Sequence, residues 1–582
     1  ECNLAPGGSI VLRDDDEFID GGGESSESVE SGGEEVTTLS GSLLSLDRSR
    51  GLAVVESGTA PPVSVSALPN EFVDASLVAR AMRESAAAMA VEPSRRSALG
   101  ELLARRPPTL SDGGRFSPRM EDPAAAAVAA VLALDRSYLC VQGPPGTGKT
   151  YTAAKCIAAL VARGSRVGVM AVSHRAISNL MAKALSMVAE ERASGVRDIG
   201  ALKIGGAPSE LAELQGAAGQ ASGVEAGEGP LWVRQLRGAG ELNKRELLEE
   251  ELIIGGTAWA FANPSLVEKL DVLFVDEAGQ LPLAQLAGAA RSASSLVLLG
   301  DQMQLPAPSE GHHPGESGAS CLEYLLRGAE TVPPDLGIFL PTSYRMHPRL
   351  CAVVSELSYR GLLESHASTE ARSIGLESPP DEQLPPWLAN GVGVHFLPVE
   401  HDGNSHASAE EASTIAAVCN RLLSEGVLVE GEARRRIEPA DILVVAPYNL
   451  QVRALEAQLP PRVRAGTVDR FQGQEAPIVL LSLCHSDFTP GVAATGGAAD
   501  ATEGGEAETR TEDDPEATAR GTGGERGLSF VLNQNRLNVA ISRAQCLAIV
   551  VGSPRLADTA PRNLQQHREL NTLARIMEEQ EK

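Results

Sequence analysis

The octapeptide Gly143-Pro144-Pro145-Gly146-Thr147-Gly148-Lys149-Thr150 constrains this chain more tightly than any other stretch of it. It satisfies G-x-x-x-x-G-K-[ST], follows an apolar run at 137–142 (SYLCVQ) and opens a helical pattern that reaches about residue 163. A buried strand, a glycine-rich turn and a helix in that order make an anion cradle. Glycines let backbone N–H groups converge on phosphate oxygens, and the helix N-terminus adds positive potential. Lys149 offers a point charge to β- and γ-phosphates, while the Thr150 hydroxyl can ligate Mg²⁺. The bland alternative, a glycine-rich turn with a chance lysine, does not explain the strand on one side and the helix on the other.

The surrounding pattern supplies the sheet that such a cradle needs. Runs at 166–173 (RVGVMAVS), 271–276 (DVLFVD) and 295–300 (SLVLLG) are bulky and unalternated, as strands buried on both faces should be. After about residue 340 the pattern restarts with 392–399 (VGVHFLPV), a helix near 408–426, then 441–446 (DILVVA), 477–483 (PIVLLSL) and 546–551 (CLAIVV). The fold class predicted is α/β, with two parallel-sheet domains in tandem at about 124–340 and 341–582. Residues 1–50 carry twelve acids against three arginines among Gly and Ser, so 1–60 reads as an acidic, largely disordered segment and 61–123 as a partly helical lead-in. An acidic low-complexity tract at 490–527 reads as a disordered insertion bulging from the second domain, and 205–230 as a Gly/Ala/Glu-rich loop.

Charge limits the partners. With 77 acidic against 50 basic residues in 582, a net of −27, no uniformly basic surface can hold a polyanion, and nucleic acid must be met by a local groove. No stretch approaches the roughly 18 consecutive apolar residues of a membrane span, so no membrane partner is expected. The eight cysteines, at 2, 140, 156, 321, 351, 419, 484 and 546, show neither C-x-x-C nor metal-ligand spacing, the usage of a soluble, reduced intracellular protein.

Phosphate chemistry also needs carboxylates at a strand end. Asp276-Glu277 closes the run at 271–276, so Asp276 can fix Mg²⁺ and Glu277 can orient or deprotonate an attacking water. Gly300-Asp301-Gln302-Met303-Gln304-Leu305-Pro306 ends the next run in polar groups, where the crevice of an open α/β sheet lies, and Gln304 could sense a γ-phosphate there.

Taken in order with Val172 to Ile177, Ser343-Tyr344-Arg345-Met346-His347-Pro348, Thr467 to Glu475 and Leu537 to Ala544, these segments resemble a superfamily 1 helicase of the group containing the nonsense-decay and Okazaki-processing helicases. Gly255 to Ala262, His313-Pro314 and Asn535 to Asn538 look like the subgroup in which this motor is fused behind a RecB-like nuclease. The resemblance runs from about 124 to 580 and implies two RecA-like P-loop NTPase domains using ATP and Mg²⁺. By that resemblance Lys149, Gln304, Arg345 and Arg543 contact the transferring phosphate, Glu277 is the base, and Thr150 and Asp276 hold Mg²⁺. Tyr344 would stack on the nucleotide base and Glu475 would hold the ribose. Ser173, His174, Pro306, Tyr448, Asn449 and Thr467 would track a single strand without reading its bases. The resemblance implies 5′ to 3′ travel, and its nuclease-fused flavour favours DNA over RNA.

Two departures stand out. The family's adenine-reading glutamine has no counterpart between Met120 and Leu139, although ATP remains the expected nucleotide. No nuclease-like cluster appears, so any nuclease half is missing, lies upstream of Glu1 or acts in trans. The reading is an ATP-dependent helicase or translocase. Its rival is an ATP-gated clamp that remodels nucleic-acid complexes without separating strands.

Overall fold

The computed structural model describes residues 9–14, 38–47, 52–57, 65–69 and 74–578, apart from gaps at 93, 114–115, 117–121, 192–197, 223–230, 307–312, 379–384, 472 and 487–522. The chain divides into two compact units, Glu1–Ser76 and Leu77–Lys582.

The first unit corrects one expectation. Within the acidic stretch read as largely disordered lie β1 (Ser9–Asp14), β2 (Thr38–Asp47) and β3 (Leu52–Ser57), which join β4 (Val65–Pro69) in an antiparallel sheet of order β3-β2-β1-β4. Segments such as SIVLRD and LAVVES carry the short β-branched runs that strands need, but acidic Gly/Ser tracts dilute the signal over any longer window.

The second unit holds the two α/β domains. Eight strands build the first sheet: β5 (Tyr138–Gln142), β6 (Val167–Met170), β7 (Ile199–Ile204), β8 (Leu231–Leu236), β9 (Glu251–Gly256), β10 (Leu270–Val275), β11 (Ala293–Gly300) and β12 (Gly337–Phe339). Their order is β12-β5-β11-β10-β6-β9-β7-β8, and every pair is parallel. β5 and β6 are buried at every position, as strands covered by helices on both faces must be. The helix Pro123–Ala133 starts on an Asp122 cap whose side chain accepts from the Ala125 N–H, with Pro123 in the first turn. The 205–230 stretch, read as a loop, contains the helix Pro208–Ser222. Its Leu211, Leu214 and Ala218 recur at helical spacing, and Leu214 is fully buried.

In the second domain β13 (Thr342–Ser343) pairs with β14 (Glu364–Ser365). β15 (Arg372–Leu376), β16 (Asn390–Gly391), β18 (Gly426–Glu430) and β19 (Ala433–Arg436) form an antiparallel apron. The main sheet is parallel, of order β17-β23-β22-β20-β21, from β17 (Gly393–Pro398), β20 (Ile442–Ala446), β21 (Arg464–Thr467), β22 (Ala476–Ser482) and β23 (Ala544–Gly552). Most of the acidic tract at 490–527 lies outside the described residues, and the helix Gly523–Val531 takes up its end.

Among the described residues no helix is long and apolar enough to cross a membrane. The seven cysteines among the described residues are free and buried. Burial pushes the thiols of Cys140, Cys156, Cys351, Cys419 and Cys546 up to about 12.

Candidate active site

The phosphate loop leaves β5 and enters the helix Lys149–Ala162. Gly146 and Gly148 take left-handed φ values of 77° and 76°, which turn successive N–H groups inward. The Gly143 N–H donates to the Gly300 carbonyl at 2.9 Å, so the loop is tied to the end of β11. Lys149 Nζ folds over the loop and donates to the Gly143 carbonyl at 3.2 Å, and the Thr147 hydroxyl donates to the Pro144 carbonyl at 2.8 Å. Thr150, one residue into the helix, is exposed.

β10 delivers the carboxylates. Asp276 is 8% exposed, and burial first of all raises its carboxyl above the usual range, against the pull of Lys149. Glu277 adopts φ 55°, a left-handed conformation rare outside glycine, which turns the chain sharply off the strand. Burial raises its carboxyl too, the neighbouring Asp276 adds repulsion, and Lys149 opposes both. A close approach completes the turn, since a Cβ on Gly279 would lie 2.8 Å from the Asp301 carbonyl oxygen.

The second domain reaches the same place. One cleft of about 370 Å³ is lined by the loop, Asp276, Glu277, Gln304, Arg345 and Arg543. Arg345 follows β13, where the Tyr344 N–H donates to the Gly146 carbonyl at 2.9 Å and the Ser343 hydroxyl to the Pro145 carbonyl at 3.0 Å. The Arg345 guanidinium donates to the Glu475 carboxylate and to the Ser542 carbonyl, the latter at 3.1 Å. Arg543 is 6% exposed and donates to the Gln474 carbonyl at 3.3 Å, while its Nε has no partner among the described residues. Burial lowers it to about 10, and the charge of Arg345 pushes the same way. Two guanidiniums held close in a desolvated cleft repel each other until an anion arrives, which suits them to phosphate.

The remaining candidates separate. Tyr344 is 54% exposed, meets the His366 ring in a tilted contact at 4.6 Å, and shares with Tyr151 and Gly148 an adjoining pocket of about 520 Å³, room enough for a nucleotide base. Glu475 binds Arg345 and accepts from Gln545 Nε2 at 2.9 Å, so its carboxylate is engaged with protein donors. Of the expected strand contacts, Ser173, Pro306 and Asn449 are exposed, and His174 and Thr467 are half-buried. Burial and then Lys203 lower His174, so its ring favours the neutral form. Tyr448 stacks on Phe530 at 5.2 Å, and the Arg536 guanidinium lies 3.8 Å from the centre of the Phe530 ring. Sequence reasoning left Asp301, Ser343, Tyr359 and Asn538 without roles, although all but Tyr359 fall within its motifs.

A P-loop, a strand-end Asp-Glu pair and two arginines from a second α/β domain line one cleft, the set of groups that binding of a nucleoside triphosphate calls for. Two AAA-domain family profiles match residues 120–316 and 319–555. An Arabidopsis thaliana DNA replication ATP-dependent helicase/nuclease is 25% identical over 439 residues, covering 73% of this chain and 28% of the relative. The mouse DNA-binding protein SMUBP-2 is 27% identical over 60% of this chain and 38% of its own length. The yeast ATP-dependent helicase NAM7 is 23% identical over 72% and 40%. These relatives are superfamily 1 helicases, to which this chain is similar, and it spans between 28% and 40% of the length of the three.

Proposed function

We propose that this chain is an ATP-driven translocase that moves along single-stranded nucleic acid, DNA in preference to RNA, in the 5′ to 3′ direction, and separates strands as it goes. The observation that carries the reading is the meeting of Arg345 and Arg543 with the phosphate loop in one cleft. Phosphoryl transfer spreads charge over equatorial oxygens, and guanidiniums from another domain stabilise that charge only while the cleft is shut. Hydrolysis is thereby tied to domain closure, and two domains that alternate their grip convert the cycle into movement.

The residues fit Mg²⁺, since Asp276 and Thr150 offer hard oxygen donors and a dication would reverse the burial penalty on the Asp276 carboxyl. Held by Asp276 and Thr150, Mg²⁺ would supply positive charge against the negative charge that develops on the phosphates. Lys149 binds the β- and γ-phosphates, Glu277 takes the proton of the attacking water, Gln304 contacts the γ-phosphate, and Tyr344 supports the base. Seven buried, free cysteines fit a reducing compartment. A nuclease domain joined to this motor or acting beside it fits the first relative's printed name.

The test is ATP hydrolysis with and without single-stranded DNA or RNA, followed by strand displacement from a duplex with a 5′ tail. Stimulated hydrolysis with release of the strand supports the motor. Hydrolysis without release favours the ATP-gated clamp, and no hydrolysis rejects both.

A further inference from the structure

A single buried carboxylate joins the segments that line the cleft. Asp301, at the end of β11, is 4% exposed and accepts four hydrogen bonds. Its Oδ1 accepts from Gln142 Nε2 and from the Met303 N–H, each at 3.2 Å. Its Oδ2 accepts from Gln304 Nε2 at 3.0 Å and from the Tyr359 hydroxyl at 2.7 Å. Tyr359 is fully buried, and its oxygen accepts in turn from Asn538 Nδ2 at 2.9 Å. The same Asn538 amide donates to the Met303 carbonyl at 2.7 Å, and Asn535 donates to the Gln302 and Gln304 carbonyls at 3.1 and 2.9 Å.

Each member stands next to a working part. Gln142 immediately precedes the phosphate loop, and Gln304 lines the cleft. Asn535 and Asn538 lie in the helix Gln534–Ile541, which ends two residues before Arg543. Tyr359 closes the helix Pro348–Ser358, which begins three residues after Arg345.

We propose that Tyr359 and Asn538 are positioning residues that, through Asp301, aim Gln304 at the γ-phosphate and keep it in register with the Arg543 helix. This rests on the cleft hydrolysing ATP. The Gln304 amide has two N–H donors. With one held by Asp301, the other has a set direction before nucleotide arrives, and an aimed donor needs no reorganisation when charge develops. Asn538 extends the same restraint across the domain boundary by gripping the Met303 carbonyl and the Tyr359 oxygen together. The Gln304 loop and the Arg543 helix therefore advance or retreat together, which coordinates contributions from two domains.

The Tyr359 side chain stays a donor throughout, because burial and then Asp301 hold its hydroxyl well above the usual titration range. Its removal is a small perturbation. Tyr359→Phe deletes one oxygen and retains the ring, leaving Oδ2 of Asp301 with Gln304 alone and Asn538 without one of its two acceptors.

The experiment measures nucleic-acid-stimulated ATP hydrolysis in the full chain carrying Tyr359→Phe, Gln304→Ala, or both. Tyr359→Phe is expected to lower kcat about tenfold, the scale of one buried hydrogen bond missing from the transition state. KM for ATP should stay within roughly twofold, because ground-state binding is untouched. The double variant should match Gln304→Ala within roughly twofold, since Tyr359 acts through that amide. Wild-type kcat in Tyr359→Phe, or a double variant whose loss is the product of the two single losses, overturns the proposal. Should Tyr359→Phe fail to fold, Asn538→Ala is read by the same criteria. A wild-type chain without ATPase activity overturns the proposed function itself, an outcome separate from either of these.

Discussion

Gly146→Ala is the sharpest probe of how the domains meet. At φ 77° an alanine bears a conformational cost of about 1–2 kcal/mol. Its Cβ would also lie 2.5 Å from Arg345 Cβ, 2.8 Å from Ser343 Oγ and 3.2 Å from the Arg345 backbone nitrogen. None of these is the free end of a flexible side chain, so relief comes only by backing the 343–345 segment off the loop, and overpacking of this kind costs about 1–3 kcal/mol more. Gly148→Ala is the matched control. Its φ of 76° carries the same conformational cost, but its nearest neighbour would be Tyr151 Cβ at 3.8 Å, an ordinary contact. The difference between the two variants isolates the contact with the second domain. At about 1.4 kcal/mol per decade it predicts stimulated kcat/KM for Gly146→Ala roughly 5- to 150-fold below Gly148→Ala. A coupled ATPase assay over an ATP titration measures both, and thermal melts check that both fold. Equal kcat/KM in the two folded variants would refute the inference that loop and arginine segment must touch for turnover.

Arg543→Ala should lower kcat by about 10³ while nucleotide binding, followed by a fluorescent ATP analogue, is largely retained; wild-type turnover would contradict the closed-cleft mechanism. Glu277→Gln should bind ATP and a single strand but not hydrolyse, and normal hydrolysis would move the base elsewhere. Because burial and Asp276 raise the Glu277 carboxyl, the base ionises later than an ordinary glutamate, so the acid limb of the kcat–pH profile should sit above the usual carboxylate range. The same shift has a sign for stability. A carboxyl raised by folding favours the folded state at low pH, and that stability is lost as pH rises through the folded value. At neutral pH the charge is therefore a cost, and Glu277→Gln should melt at a higher temperature than wild type at pH 7.

The parts nearest the cleft were legible because the candidate catalytic groups hang on strand ends, and buried parallel strands announce themselves as unbroken apolar runs. The run at 271–276 becomes β10 at Leu270–Val275, and the run at 295–300 becomes β11 at Ala293–Gly300. The 166–173 run overshoots, because Ala171 to Ser173 leave the sheet and the Ser173 hydroxyl accepts from the Ala176 N–H at 3.2 Å to begin a helix. The N-terminal sheet, the apron around β15 and the helix at 208–222 were lost for another reason. Their segments are short, polar or small-residue-rich, and tertiary pairing decides them more than local pattern. Long-range hydrogen bonds leave no local trace at all. Asp301, Tyr359 and Asn538 stand 58 and 179 residues apart, and nothing in the run at 348–359 marks its tyrosine as anything but a core aromatic.

The buried sulfur inventory makes the molecule convenient to instrument. Thiolate, not thiol, attacks a maleimide, and the five thiols pushed up to about 12 are both shielded and protonated at labelling pH. With Cys2 changed to serine, cysteines introduced at Leu248 and Leu564, 40% and 81% exposed on the first and second α/β domains, become the reactive handles. A donor and acceptor dye on that pair would let single-molecule energy transfer test whether the two jaws open and shut with each turnover.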